Sequence, residues 1–185
     1  MPEATTIYLV RHAHADWRND DDRALSANGS KAALVVANQL ATRPIVAIYT
    51  SPSRRSVETV EPLATRLGLS LHVIADLRER TLPVVPPDQF EGLVRRAWSF
   101  PSEAPNGGES NVQAQARSVA IVQSVVMRHA GAHVVLATGG NLLALALNAI
   151  DAQFGYEFWH RLSFPDIYQL VFDGSELRNV TRLWR

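Results

Sequence analysis

Ile7-Tyr8-Leu9-Val10-Arg11-His12-Ala13 is the stretch that decides the fold of this chain. A short apolar run, with β-branched and aromatic members, is bounded by Thr5-Thr6 and stops on an Arg-His pair, the pattern of a buried strand. Open α/β sheets keep their ligands at the carboxyl ends of their strands, so this strand presents a guanidinium and an imidazole where a ligand would sit. Arginine's fixed fork suits phosphate oxygens, and a histidine beside it can attack phosphorus or carry a proton. Taken alone, His12 reads first as a strand-end histidine satisfied by backbone.

Outward from this strand the pattern alternates. Ser26 is a plausible N-cap for a helix that buries Ala33, Val36, Ala37 and Leu40. Ile45 to Tyr49 reads as a second strand, and Val57, Val60, Ala64 and Leu67 share a face of the next helix, which Gly68 stops. Leu69 to Ile74 is a third strand. From Thr81 to Gly108 the pattern breaks, and five of the ten prolines fall there, so residues 81–108 are expected to form an irregular, lid-like excursion with one short helix over Gln89 to Trp98. A long helix over Ser110 to His129 is expected to bury Val112, Ala116, Val119, Val122 and Val126. His133 to Thr138 is a fourth strand, and its uninterrupted Val134-Val135-Leu136 implies burial on both faces. Leu142 to Ile150 is apolar nearly all round and should be a buried helix. Ile167 to Phe172 and Leu177 to Leu183 flank Asp173-Gly174, a hairpin signal. The expectation is a single three-layer α/β/α domain over residues 1–185, with a mostly parallel central sheet and a C-terminal antiparallel hairpin.

Composition narrows the function classes. Acidic and basic residues balance at 18 each, so the formal net charge of zero argues against general affinity for nucleic acid or anionic membranes. Without cysteine there is no thiolate nucleophile, disulfide or zinc-thiolate site. No apolar run approaches membrane-spanning length and Met1-Pro2-Glu3 lacks a charged signal start, which makes the cytoplasm the expected compartment.

Arg11-His12-Ala13 resembles the Arg-His-Gly signature of the histidine phosphatase (phosphoglycerate mutase-like) superfamily, with Ala13 in place of the glycine. Ser51-Pro52-Ser53-Arg54-Arg55-Ser56-Val57-Glu58-Thr59 resembles that family's Ser-Pro-x-x-Arg-Ala-x-x-Thr segment, and it places Arg55 in a first helical turn, a natural anion site. Arg54 is what a one-residue slip would substitute. Leu77-Arg78-Glu79-Arg80 is similar to the family's Leu-x-Glu-Arg, whose glutamate serves as general acid; a surface Glu79 paired with Arg78 or Arg80 is the plainer alternative. Gly107-Gly108-Glu109-Ser110 matches a Gly-Glu-Ser element, where Glu109 either supports a phosphate-side arginine or favours a helix N-terminus, the second being preferred. Leu25-Ser26 with Gly29 resembles the family's first helix start.

The discrepancy lies at Val134-Val135-Leu136-Ala137-Thr138-Gly139-Gly140-Asn141. Family members read Ser/Thr-His-Gly after this strand, so Gly139 falls on the second active-site histidine; a slip puts Thr138 there, and neither is an imidazole. Phe154-Gly155-Tyr156-Glu157 and Phe164-Pro165-Asp166-Ile167-Tyr168 resemble segments of one small bacterial branch and favour the first register. Losing one preorganised donor typically costs about 2.7–4 kcal/mol of transition-state stabilisation. An engineered substitution and a natural loss both fit a glycine at this place.

The resemblance therefore implies hydrolysis of a small phosphomonoester through a phosphohistidine at His12, weakened by the lost histidine. Arg11 and Arg55 would bind phosphate, joined by Arg18 and the Gly139-Gly140 backbone, and Glu79 would protonate the leaving group. It implies no metal and no organic cofactor. Mutase activity is disfavoured, because the family's mutases carry longer insertions. A phosphate-binding or regulatory module without turnover is the alternative from a different class. Specificity is expected within Thr81 to Gly108, where Phe90, Trp98 and Phe100 either line a pocket or pack it. His12-Ala13-His14 has a rival reading as a metal pair, since alternate strand residues share a face, but the further ligands that such a site needs are not evident.

Overall fold

The computed structural model describes residues 4–16 and 22–185. In chain order the elements are β1 (Thr5–Arg11), α1 (Ala27–Leu40), β2 (Ile45–Thr50), α2 (Arg54–Leu67), β3 (Leu71–Val73), a 3₁₀ turn (Ala75–Leu77), α3 (Pro87–Ser99), α4 (Asn111–Arg128), β4 (His133–Thr138), α5 (Gly140–Asn148), α6 (Tyr156–His160), β5 (Asp166–Asp173) and β6 (Glu176–Arg182). Among the described residues the strands form one six-stranded sheet in the order β3-β2-β4-β1-β5-β6. β1 runs parallel to β4 and antiparallel to β5, and the β5–β6 hairpin closes that edge. The α/β class, the parallel core and the C-terminal hairpin match the sequence-based expectation.

Alternation within each strand builds two apolar layers. Tyr8 and Val10 of β1, with Ile48 and Val135, meet Val36 and Leu40 of α1 and Val60 and Leu63 of α2 on one face. Ile7 and Leu9, with Tyr49, Val134 and Leu136, meet Leu143 and Leu147 of α5 and Val125 of α4 on the other. Ile7, Tyr8, Leu9 and Val10 are all at most 2% exposed, and burying a side chain of this size contributes about 1.5–3 kcal/mol each. Hence β1 is the spine of the sheet, and its carboxyl end is held rigidly.

The connections decide where a ligand can enter. The chain leaves β1 for α1 on one face and leaves the neighbouring β4 for α5 on the opposite face. Two adjacent strands whose helices diverge in this way open a crevice at their carboxyl ends. Arg11 and His12 lie at its mouth.

Ser26 caps α1 as expected, its side chain accepting from the Gly29 N–H at 3.1 Å. Gly29 itself is required by crowding, since a Cβ there would lie 2.0 Å from the His14 carbonyl oxygen. α1 therefore packs directly on the backbone that follows His12.

Two expectations need correction. β3 is shorter than Leu69 to Ile74, because it is an edge strand paired with β2 alone. On α4 the buried face is Ala114, Ser118, Ile121, Val125 and Val126, while Val112 is 49% exposed and Ala116 is exposed. The face is chosen by Ala114 packing on Leu142 and Leu145 of α5, where small residues allow close approach. The valine-weighted periodicity pointed to a neighbouring stripe.

Candidate active site

β1 delivers Arg11 and His12 into the crevice. The His12 N–H continues the ladder, donating to the Thr138 carbonyl at 3.0 Å. Its Nδ1 lies 2.8 Å from the Ala13 carbonyl oxygen. A carbonyl can only accept, so Nδ1 carries the proton and Nε2 keeps its lone pair. Arg55 Nε donates to that Nε2 at 3.2 Å. His12 is 6% exposed, and burial first, then the Arg55 cation, hold its pKa well below the usual 6.5, with Arg11 and Arg23 adding to the effect against the Ala13 hydrogen bond. The ring is neutral, with its unprotonated nitrogen accepting from Arg55.

This has a pH consequence. Below 6.5 the unfolded chain takes up a proton on this histidine that the folded chain refuses. The stability it confers is fully present above 6.5 and is lost, at about 1.4 kcal/mol per pH unit, as the pH falls toward the lowered folded value. Denaturant unfolding between pH 7.5 and 5.5 is expected to show the wild-type chain losing more stability than His12→Asn by that amount. Parallel losses in the two proteins would overturn the assignment.

Arg11 is clamped. Its Nη1 donates to the Leu162 carbonyl at 2.7 Å, the Phe164 ring centroid lies 3.4 Å from its Cζ, and a Cβ on Gly140 would stand 2.7 Å from its Nε. Gly140 thus serves as the surface on which the guanidinium rests. Burial lowers the Arg11 pKa to about 10, opposed by Glu79 and Asp166, so it remains cationic at neutral pH. Asp166 is fully buried and accepts from the Ser163 and Ile167 amides and from Arg182, which fixes the turn that carries Leu162 and Phe164. Phe164 and Asp166 entered the sequence reading only as part of a resemblance; a large apolar residue 45% exposed beside the site is a feature of the surface, not of periodicity.

Between the two arginines open to assignment, the structure selects Arg55. It is 5% exposed in the first turn of α2 and reaches His12, whereas Arg54 is exposed and pairs with Glu58 at 2.6 Å. Thr59, one turn on, accepts from the Ala13 N–H at 2.9 Å and donates to the Arg55 carbonyl at 2.6 Å. α2 and the loop after His12 are thereby locked together.

Glu79 stands at the site, against Gly139 and near Arg11, and also makes a helix-cap contact that the sequence reading did not include. Its Oε2 accepts from the Asn141 N–H at 2.9 Å, and its Oε1 accepts from the Leu142 N–H and the Arg80 N–H at 2.8 Å each. It is not the surface ion pair; it caps the start of α5, and Oε2 keeps a second acceptor site beyond its bond from Asn141. A Cβ on Gly139 would lie 2.3 Å from Oε2 and 2.5 Å from Cδ, so the carboxylate fills the room that a side chain at 139 would need. Thr138 Oγ1 donates to the Leu77 carbonyl at 2.6 Å, while Arg117 donates to the Asp76 and Arg78 carbonyls and forms a two-pronged pair with Glu109. Glu109 therefore braces the segment bearing Glu79, a role different from either one expected for it. One signal could have exposed the cap: α5 starts on Gly139-Gly140 with no acidic residue in its first turn, and a buried helix start needs an acceptor from somewhere.

The pattern that defines the histidine phosphatase superfamily (branch 1) matches residues 7–183. The chain belongs to this superfamily. It is 31% identical over 185 residues to glucosyl-3-phosphoglycerate phosphatase of Mycobacterium tuberculosis, covering 86% of this chain and 80% of that one. An uncharacterised protein of the same organism is 30% identical over 205 residues, covering 97% and 96%. Among solved structures, mycobacterial glucosyl-3-phosphoglycerate phosphatase with VO3 superposes with a TM-score of 0.79 at 26% identity, covering 97% and 98%. Phosphatases thus stand among its relatives in sequence and in structure.

Other expected members of this histidine phosphatase site fall elsewhere. Arg18 lies outside the described residues. His14 Nδ1 lies 2.8 Å from Ser26 Oγ at the start of α1, and the His12 and His14 rings both lie against Phe164. Within the excursion, Trp98 lines a cavity of about 400 Å³ together with Arg95, Asn111, Gln115 and Tyr156, Phe90 packs against Trp159, and Phe100 is half exposed under Arg96. No helix among the described residues is long and apolar enough to cross a membrane.

Proposed function

We propose that this histidine phosphatase hydrolyses a small phosphomonoester in the cytoplasm through a phosphohistidine on His12. One observation carries the reading: a buried, neutral imidazole whose Nε2 lone pair faces the Arg55 guanidinium, with Arg11 beside it. In the first step the Nε2 pair forms an N–P bond while the P–O bond to the leaving group breaks, its electrons going to the leaving oxygen. In the second, water attacks phosphorus, the N–P pair returns to Nε2, and dihydrogen phosphate departs; the Nδ1 proton stays on its Ala13 hydrogen bond throughout. Arg55 exchanges Nε2 for a phosphoryl oxygen. Arg11, whose buried Nε has no partner among the described residues, faces the anion across the Gly139-Gly140 backbone. The whole chain acts as one domain, with residues 81–108 as the part that varies with the substrate. Zero net charge agrees with a small-molecule partner, not a nucleic acid or a membrane surface.

Vanadate titration by calorimetry tests the anion site. Charge-assisted hydrogen bonds contribute about 1.5–3 kcal/mol each, so Arg55→Ala is expected to weaken vanadate binding by about 10- to 100-fold without unfolding the protein. Equal affinity in both proteins would sink the assignment. Release of phosphate from p-nitrophenyl phosphate separates an enzyme from a binding module, since only the enzyme turns over.

A further inference from the structure

We propose that Arg182, the last residue of β6, is a positioning residue for the phosphate site: it fills the Asp166 carboxylate and so leaves Arg11 free to bind the anion. The inference rests on the reading that Arg11 holds the phosphoryl group beside His12. It adds a residue that acts through Arg11 and not on the substrate.

Asp166 is the register partner of Arg11, because β5 runs antiparallel beside β1. It is fully buried. Burial lowers the Arg11 pKa and Asp166 is one of two carboxylates that oppose the lowering, so its charge reaches the guanidinium. A buried carboxylate beside a buried arginine is ordinarily gripped by it in a two-pronged pair. Here it is not. A carboxylate has about four acceptor sites, and four donors reach this one. Oδ1 accepts from the Ile167 N–H at 3.0 Å and from Arg182 Nε at 2.9 Å, while Oδ2 accepts from the Ser163 N–H and from Arg182 Nη2, both at 3.0 Å. Arg182 takes the places that Arg11 would otherwise take. Arg11 keeps a buried Nε with no partner among the described residues.

The same pair fixes where Arg11 points. Arg182 Nη2 also donates to Ser163 Oγ at 3.0 Å, and that hydroxyl donates to the Pro165 carbonyl at 2.8 Å. The turn from Leu162 to Asp166 is thereby fastened to β6. This turn carries two of the groups that hold Arg11, the Leu162 carbonyl 2.7 Å from Nη1 and the Phe164 ring 3.4 Å from Cζ. Losing Arg182 opens two acceptor sites on Asp166 beside Arg11 and loosens the turn, and either change draws the guanidinium from the crevice. The Arg182 side chain is 47% exposed, and an exposed ion pair by itself contributes little. The effect expected here comes from what the pair holds in place.

Calorimetric titration with vanadate tests this without requiring turnover. Misplacing a binding group by about 1 Å can cost about 10²-fold, so Arg182→Met is expected to weaken vanadate binding by about 10- to 100-fold. Arg182→Lys keeps a cation for Asp166 but not the fork, and should recover part of that loss. The deciding arm removes Arg11. In Arg11→Ala, where Arg55 still attracts the anion, Arg182→Met should have no further effect, because it acts through the missing guanidinium. A loss of equal size with and without Arg11 would overturn the proposal, as would affinity unchanged by Arg182→Met. Where the methionine variant does not fold, Arg182→Lys carries the same comparison: a smaller loss that vanishes in Arg11→Ala is expected, and unchanged affinity overturns the proposal. Vanadate bound equally by Arg11→Ala and the unaltered chain overturns the phosphate-site reading itself, a result distinct from an Arg11-dependent site that is indifferent to Arg182.

Discussion

His12→Ala is expected to remove phosphoryl transfer while leaving a folded protein. The reaction proposed here has one nucleophilic atom, the Nε2 kept unprotonated by the Nδ1–H bond to the Ala13 carbonyl. Arg11 and Arg55 are cations that attract phosphate but cannot attack it, and the Glu79 carboxylate accepts from backbone N–H groups. Loss of a covalent nucleophile in a comparable hydrolytic site costs on the order of 10⁶ in kcat. The ring is neutral at neutral pH, so truncation there is expected to remove its packing and its hydrogen bonds to Ala13 and Arg55 without unfolding the protein. Turnover of p-nitrophenyl phosphate and acid-labile phosphate on the quenched protein measure both halves. Residual activity within tenfold of the unaltered chain, or acid-labile phosphate retained on the alanine variant, would remove His12 from the nucleophile's place.

Gly139→His is expected to raise kcat for aryl phosphates by about 10²-fold, the converse of losing a single transition-state donor. The structure adds a condition that the sequence did not contain. The new side chain cannot enter until Glu79 leaves, since a Cβ at 139 collides with the carboxylate. The first N–H groups of α5 then lose their acceptor, at a cost of about 1–3 kcal/mol for loss of a helix cap. Higher activity should therefore accompany a lower unfolding midpoint, and Glu79→Gln should destabilise Gly139→His less than it destabilises the unaltered chain. Kinetics on p-nitrophenyl phosphate with parallel thermal unfolding read both. A gain that survives His12→Ala, or a variant with raised stability and unchanged turnover, would contradict this account.

Much of the fold was legible because it is written locally. The run Ile7 to Val10, the alternation around Tyr49 and Val135, and the helix face Ala33-Val36-Ala37-Leu40 each reflect one element turning its apolar side to a layer, and periodicity records that directly. Arg11, His12 and Arg55 were legible for a related reason: each sits where a strand ends or a helix begins, positions that sequence signals mark. Arg54 and Arg55 could be separated only once α2 had a face, because one residue of helix is 100° of rotation.

What the tertiary structure alone decided involves partners remote in sequence. Glu79 and Asn141 are 62 residues apart, Arg11 and Leu162 are 151 apart, and Ala13 and Thr59 are 46 apart. A cap lent by a distant loop leaves no capping residue beside the helix it serves, and the emptiness at Gly139 reads in sequence only as a missing imidazole. In space it is occupied, because a buried helix start must find an acceptor and the nearest carboxylate had room to reach it. The buried stripe of α4 was settled in the same way, by where small residues let two helices touch. The chain by itself therefore determined which chemical groups stand at the end of β1; the packing of α5 against the Glu79 segment decided that a carboxylate beside them also caps a helix.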